Sequence, residues 1–233
     1  MGKGIFIAGT DTGVGKTFIT AGLNYCFQKA NYKCCSFKPV QSGGIEKNGS
    51  LIPGDIEFVK KLTGIDEPYE KLNCYCLKEE VSPHLAAELE GVEIDTNKLL
   101  ESFNYLKEKY NYTLVEGAGG LIVPIIRDKY YMYHLIKDLN LPVLLVARAG
   151  VGTINHTVLS CEFAKNTGIK IKGIIINGYT NTFCEKDNID IIEKATGIPI
   201  VSVMPQINVY DFSHLKSYYK KHIELDKIIS LCF

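Results

Sequence analysis

One segment constrains this chain more than any other: Gly9-Thr10-Asp11-Thr12-Gly13-Val14-Gly15-Lys16-Thr17. It follows the apolar run 5–8 and precedes a stretch in which Ile19, Leu23, Phe27 and Ala30 recur at helical spacing. A strand, a glycine loop and a helix in that order form a phosphate-binding turn, because glycines let backbone N–H groups close around a polyphosphate at a helix start. In such a turn Lys16 reaches the β- and γ-phosphates and Thr17 offers a hydroxyl to Mg²⁺. The usual motif has four residues between the first glycine and Gly-Lys; here five separate Gly9 from Gly15.

The rest of the chain repeats the alternation. Continuous apolar runs at 34–37, 112–115, 143–147, 171–176 and 200–203 alternate with amphipathic stretches. One has Leu99, Phe103, Leu106 and Tyr110 in register, with Asp95 or Thr96 to cap it. Others span 153–166, closed by Gly168, and 185–195, closed by Gly197 and Pro199. Unbroken apolar strands between helices mean a mostly parallel sheet covered on both faces. The expected fold class is therefore α/β: three layers, α/β/α, in the Rossmann-like architecture of P-loop NTPases. Residues 1–233 read as one domain with a loop-rich insertion at about 41–93.

In such a sheet ligands gather at the carboxyl ends of the strands, so the residues just after each run matter most. Lys38, in Phe37-Lys38-Pro39-Val40-Gln41-Ser42-Gly43-Gly44, leaves the sheet on the same edge as the glycine loop. It is either a cation for a transferring phosphoryl group or a solvated lysine. Glu116, in Val115-Glu116-Gly117-Ala118-Gly119-Gly120, holds the position at which such folds carry a metal-binding acid. Asp55, after Pro53-Gly54, reads as a helix cap or as a further hard oxygen ligand. The run Arg148-Ala149-Gly150-Val151-Gly152-Thr153-Ile154-Asn155 is a second glycine turn into a helix, with Thr153 as its expected cap. It is either an anion-binding helix start or a plain turn. Asn177-Gly178-Tyr179-Thr180 lacks the aspartate of a guanine-reading motif, which favours adenine.

Bulk properties exclude several classes. Lys+Arg and Asp+Glu number 26 each, so no basic excess marks a nucleic-acid surface. No run is long and apolar enough to span a membrane, and the first apolar run is too short for a secretory signal, so a cytoplasmic protein is expected. None of the eight cysteines forms a Cys-x-x-Cys pair, and neither they nor the five histidines show metal-ligand spacing. Most of the cysteines read as small, reduced core residues.

Taken together, the glycine loop, Lys38-Pro39-Val40-x-Ser42-Gly43, Ser82-Pro83-His84, Val115-Glu116-Gly117-Ala118-Gly119-Gly120 and Ile154-Asn155-His156 resemble the dethiobiotin synthetase family over nearly the whole chain. The long loop and Asp11 are what that family has. Asp11 also stands where switch-type ATPases carry a second lysine, which argues against a partner-binding switch ATPase. A related amide-forming synthetase needs a glutaminase domain for which this chain is too short.

The resemblance implies an ATP-dependent cyclo-ligase of biotin biosynthesis acting on 7,8-diaminononanoate and CO₂. It implies that Lys16 and Lys38 stabilise the transferring phosphoryl group and that Thr17, Asp55 and Glu116 bind Mg²⁺. Gly13, Val14, Gly15, Lys16, Thr17 and Phe18 would surround the phosphates, with Gly117, Ala118 and Gly119 along the nucleotide. Asn177, Pro205, Gln206 and Ile207 would surround the adenine. Thr12 and Ser42 would contact the substrate. Thr153, Ile154 and Asn155 would hold its carboxylate across a homodimer interface. Gly13 stands where some relatives carry Glu, so a side-chain contact is missing there.

Overall fold

The computed structural model describes residues 2–208 and 211–233. β1 (Lys3–Gly9) runs through the glycine loop into α1 (Lys16–Lys29), and β2 (Cys34–Gln41) follows. Next come the hairpin β3 (Ile45–Lys47) and β4 (Ser50–Ile52), helices α2 (Gly54–Thr63) and α3 (Tyr69–Leu72), β5 (Asn73–Cys76) and α4 (Pro83–Leu89). The chain continues through α5 (Thr96–Lys109), β6 (Tyr112–Gly120), the short pair β7 (Pro124–Ile126) and β8 (Tyr130–Tyr131), and α6 (Met132–Leu139). It ends with β9 (Val143–Arg148), α7 (Thr153–Asn166), β10 (Ile171–Tyr179), α8 (Phe183–Thr196), β11 (Ile200–Pro205), α9 (Phe212–His222) and α10 (Leu225–Cys232).

Seven strands form the main sheet in the order β11-β10-β9-β1-β6-β2-β5, and every pair in it is parallel. β1 lies in the middle, with β6 on one side and β9 on the other. The chain leaves β1 towards β2 and later returns to the opposite side with β9, so the order reverses at β1. The crevice at that reversal lies beyond the carboxyl end of β1, where the glycine loop stands.

The expected strands form because Ile5, Phe6, Ile7, Leu114, Val115, Leu144, Leu145, Val146, Ile174, Ile175 and Ile176 are buried between two helical layers. α1 packs on the sheet and against α2 and α9, which is why nearly its whole length is buried. α5, with α6 packed against it, and α7, with α8, lie against the other face. Local chemistry fixes the ends of these helices. Asp95 accepts from the Asn97 N–H at 2.8 Å and caps α5. Thr182 and Glu185 form a reciprocal capping box at the start of α8.

Three features depart from the sequence expectation. The insertion does not stay outside the sheet: β5 pairs with β2 and becomes its edge strand. Asp55 does not cap α2, since Pro53 holds the cap position and Asp55 lies inside the first turn. Thr153 does not cap α7 either. Gly152 does, and the Thr153 hydroxyl turns back to donate to the Arg148 carbonyl at 2.6 Å. No described helix is long and apolar enough to cross a membrane.

Candidate active site beyond the central strands

The loop after β1 is shaped to receive an anion. Gly15 caps α1 with φ 96°, a left-handed conformation that costs an L side chain about 1–2 kcal/mol. Space forbids one as well, because a Cβ at Gly15 would stand 2.1 Å from the side-chain nitrogen of Asn177. That nitrogen donates to the Val14 carbonyl at 2.9 Å and ties the loop to the end of β10. No side chain caps α1 and no acidic residue sits in its first turn, so its free N–H groups face the crevice. The Lys16 ammonium lies in the crevice and donates to the Asp11 carbonyl at 2.9 Å. Burial, with the like charge of Lys38 nearby, brings its pKa down to about 8.

Two strands and two helices then bring polar and charged side chains to one point: Lys38 from β2, Glu116 from β6, Asp55 from α2 and Thr17 from α1. Lys38 is only 4% exposed. Its Nζ lies 2.7 Å from Asp55 Oδ2, 2.8 Å from Glu116 Oε1 and 3.1 Å from the Gly117 carbonyl. The Thr17 hydroxyl donates to the same Glu116 oxygen at 2.7 Å. Burial works against the Lys38 ammonium, but Glu116 and Asp55 outweigh it and raise its pKa above the ordinary lysine value. Burial also pushes both carboxyls up. At Asp55 the ion pair and hydrogen bond with Lys38 win, and the pKa falls below the ordinary value. At Glu116 burial wins, because Asp55 reinforces it while Lys38 opposes it. The solvated-lysine reading of Lys38 is thereby removed: a buried charge persists only where partners hold it.

The donor set suits a hard cation. Mg²⁺ takes one or two protein carboxylates, keeps several waters and completes its shell with substrate phosphates. Asp55, Glu116 and the Thr17 hydroxyl supply that number of oxygens beside the phosphate loop. Among the described residues no group of three or more His, Cys, Asp or Glu could hold a metal ion by itself. A site completed by substrate phosphate and water needs no such group.

A cavity of about 390 Å³ opens over this cluster. Thr12, Gly13, Gly15, Lys16 and Thr17 line it from the loop and α1, Lys38 and Ser42 from the end of β2, Asp55 from α2, and Glu116, Ala118 and Gly119 from β6. The remaining expected residues lie around it. Gly117 gives its carbonyl to Lys38. The ring of Phe18 packs on Tyr218 and Tyr219 of α9, at 5.8 and 4.8 Å between centroids. Asn177 and Pro205–Ile207 stand together because β10 pairs with β11, and the Gln206 N–H donates to the Tyr179 carbonyl. Thr153, with Arg148 and His156, lines a separate hollow of about 120 Å³ on the far side of the loop. Ile154 and Asn155 follow in the same first turn of α7.

The sequence did not single out Gln41, Gly43 and Glu80, which also line the main cavity, or Arg148, whose Nη2 donates to the Thr12 carbonyl at 3.0 Å. Gln41 and Gly43 were within view, since they flank Ser42. Glu80 had no signal, because β5 carries it to the site from the insertion.

Comparisons with known proteins bear on the family and the fold. A family model described as an AAA domain matches residues 3–212. The chain is 51% identical over 209 residues to the ATP-dependent dethiobiotin synthetase BioD of Clostridium acetobutylicum, covering 88% of this chain and 87% of that protein. It is 44% identical to the enzyme of the same name from Clostridium kluyveri, over 98% of each chain. Among solved structures, the ParA family ATPase of Chlorobium tepidum superposes with a TM-score of 0.59 at 14% identity, covering 99% of this chain and 94% of that one. MinD of Pyrococcus horikoshii, solved with Mg-ADP, superposes with a TM-score of 0.56 at 16% identity, covering 99% and 94%. At those identities the structural neighbours speak for the P-loop fold alone.

Proposed function

The chain belongs to the AAA domain family and, within it, to the ATP-dependent dethiobiotin synthetases, and from that premise we propose how its residues close a cyclic urea on 7,8-diaminononanoate. It is an ATP-dependent ligase of biotin biosynthesis. The observation that carries the mechanism is the buried Lys38 ammonium between Asp55 and Glu116, beside the phosphate loop and open to one cavity.

In this reading CO₂ first adds to one amine of the substrate, which becomes a carbamate with loss of a proton. A carbamate oxygen then attacks the γ-phosphorus of ATP, the bond to the β-phosphate oxygen breaks, and ADP leaves. The second amine attacks the carbonyl carbon of the mixed anhydride, the bond to the phosphate oxygen breaks, and inorganic phosphate leaves as that nitrogen loses a proton. Since the carbamate is the nucleophile, the protein needs none. Its work is to hold the reactants in line and to offset the charge on the phosphoryl oxygens.

Lys16 from α1 and Lys38 from β2 line the same cavity, where both would offset charge on the transferring phosphoryl group. Preorganised cations of this kind are worth about 10²–10³ in rate apiece. Thr17, Asp55 and Glu116 would hold Mg²⁺, which would neutralise charge on the β- and γ-phosphate oxygens. Thr12 and Ser42 would orient the diamine, with Gly13 to Phe18 and Gly117 to Gly119 along the phosphates. Asn177 and Pro205 to Ile207 would flank the adenine. For Asn177 this leaves the side-chain oxygen and one N–H, because the other N–H is committed to Val14.

The exposed apolar side chains of Val151 (99%), Phe183 (84%) and Leu159 (61%), at and near α7, support a homodimer in which Thr153, Ile154 and Asn155 serve the partner's substrate carboxylate. All eight cysteines are free thiols, which suits a reducing compartment such as the cytoplasm.

The test is phosphate release from Mg·ATP with and without 7,8-diaminononanoate and bicarbonate, with the product read by mass. Release that needs both additions and yields a cyclic urea supports the reading. Release indifferent to the diamine overturns it and leaves only a P-loop ATPase.

A further inference from the structure

Gln41 is the last residue of β2, three positions beyond Lys38, and lies buried at 6% exposure. Its backbone is fixed by the sheet: it pairs with Cys76 of β5, and its carbonyl accepts from the Leu77 N–H at 2.7 Å. Its side-chain oxygen accepts from the Asp55 N–H at 3.2 Å. That bond replaces the side-chain cap that Pro53 cannot give α2. It also sets the direction of the amide. A backbone N–H only donates, so the oxygen must face Asp55 and the NH₂ group must point away.

The NH₂ group is not used by the protein. Among the described residues it donates to no acceptor, and it is not one of the sealed polar atoms that lack a partner. It stands near Gly54, in a residue that lines the main cavity, so its access is from the cavity. The cavity's two other amide or ammonium groups differ in this respect, since Lys38 is bonded to Asp55, Glu116 and Gly117 and Lys16 to Asp11.

Position in the sheet decides what Gln41 meets. The phosphates enter at β1 and α1, Glu116 comes from β6, and Gln41 lies beyond it on β2 beside Ser42. A donor there faces the group that accepts the phosphoryl, not the nucleotide. We propose that the side-chain amide of Gln41 donates to an anionic oxygen of the substrate carbamate, held in that orientation by the Asp55 N–H. The proposal rests on the dethiobiotin synthetase reading and adds a substrate contact to it.

Two variants separate this role from capping. Gln41→Met keeps the volume and loses both the donor and the acceptor. Gln41→Glu keeps an acceptor for the Asp55 N–H and loses the donor. Both are assayed for kcat/KM on 7,8-diaminononanoate at saturating Mg·ATP and bicarbonate. Binding of Mg²⁺ with the β,γ-imido analogue of ATP is measured by calorimetry, and thermal unfolding confirms the fold. A hydrogen bond to a charged group predicts a loss of roughly 10- to 100-fold in kcat/KM for both variants. In Gln41→Glu, which keeps the acceptor for the Asp55 N–H, the Kd for the Mg²⁺–analogue complex should stay within about twofold of wild type; in Gln41→Met, which loses it, that Kd also reports the lost cap on α2.

Full activity in either variant overturns the donor role. A fall in nucleotide binding by Gln41→Glu that matches its fall in kcat/KM also overturns it, because Gln41 would then act through α2 and Asp55. The wild type is run first in the same medium. Phosphate release without diamine there sinks the underlying reading, whereas a diamine-dependent wild type with indifferent variants sinks Gln41 alone.

Discussion

The chain builds the same backbone device twice. After β1 and again after β9 a glycine in the left-handed region, Gly15 at φ 96° and Gly152 at φ 89°, caps a helix of 14 residues. Neither helix has a side-chain cap or an acid in its first turn, so each presents free N–H groups and a positive dipole end. The surroundings differ. At the first turn Lys16, Thr17, Lys38, Asp55 and Glu116 converge on one cavity, with Lys38 and Glu116 buried. At the second, the nearby cation is the exposed Arg148, whose guanidinium is spent on the Thr12 carbonyl, while the Thr153 hydroxyl is spent on the Arg148 carbonyl. A helix start supplies the same dipoles in both places. What sets the first apart is fixed charge: Lys38 of β2, held out of water by Glu116 of β6 and Asp55 of α2.

The largest expected effect tests that contrast. Lys38→Met keeps the backbone of the first turn and removes its central charge. We expect kcat to fall on the order of 10²–10³ in the diamine-dependent assay. The variant should also unfold more readily, by about 3 kcal/mol, because Asp55 and Glu116 lose their buried partner. If kcat stays within about tenfold of wild type, the buried cluster is structural and the two turns differ less than their surroundings suggest.

The same substitution in both turns comes next. Gly15→Ala meets a left-handed φ and a Cβ position 2.1 Å from the Asn177 amide, whereas Gly152→Ala meets the left-handed φ with nothing within 4 Å. Gly152→Ala should cost about 1 kcal/mol in urea unfolding and leave ATP binding intact. Gly15→Ala should cost about 2–3 kcal/mol and abolish ATP binding. Adding Asn177→Ala to Gly15→Ala should restore part of that stability, since it removes the obstructing group. Equal costs at the two glycines would mean that Asn177 gives way freely, and its bond to Val14 would then contribute little to holding the loop.

The sequence carried the first turn more fully than it carried the cluster around it, for a physical reason. Strands buried on both faces must be continuously apolar, so β1, β2, β6, β9, β10 and β11 were legible from their residues. The loop was legible because Gly15, Lys16 and Thr17 are local in the chain. Asp55 reads as a cap or an oxygen ligand, but its meeting with Lys38 was not legible, since the two lie 17 residues apart and come together only because α2 folds back over β2. β5 was missed because Asn73-Cys74-Tyr75-Cys76 carries neither an apolar run nor clear alternation, and an edge strand needs neither. α6 was missed although Met132, Leu135, Ile136 and Leu139 make an apolar stripe, because it follows the tyrosine pair of β8 without a polar cap residue. Gln41 escaped notice because its value depends on the direction of an amide, which spacing does not encode.

A smaller effect belongs to the second turn and to the dimer. Val151 stands almost wholly exposed beside Gly152. If a second copy covers it, Val151→Lys should shift the protein towards monomer in light scattering. The KM for the diamine should then rise about tenfold, as expected from losing one buried aliphatic side chain at an interface. Mg·ATP binding, which belongs to the first turn, should not change. A wild type that is monomeric throughout would remove the partner's contribution from the site and leave the second turn a surface feature.

The smallest effect is electrostatic and tests how the second turn is held. Asn188 of α8 donates to the Ala149 carbonyl at 3.0 Å, so the start of α8 steadies that turn. The start of α8 depends in turn on the Glu185 carboxylate, which accepts from the Thr180 N–H at 2.8 Å, the Thr180 hydroxyl at 2.9 Å and the Thr182 N–H at 3.1 Å. Burial pushes this carboxyl up, but those donors outweigh it and hold the pKa below the ordinary glutamate value. A depressed folded-state pKa means that the unfolded chain binds the proton more readily, so acid favours unfolding. The stabilisation is complete above the unfolded glutamate pKa of about 4.3 and is lost as pH falls through the lower folded value. Glu185→Gln should therefore cost about 1–2 kcal/mol at pH 7, and its gap from wild type should narrow as the pH is brought from 5 towards 3. Lys38→Met should show no such narrowing from this source, because its loss arises in the buried cluster of the first turn. A gap at Glu185 that holds constant down to pH 3 would mean that the donors bind the neutral side chain equally well, and the second turn would then rest on shape instead of charge.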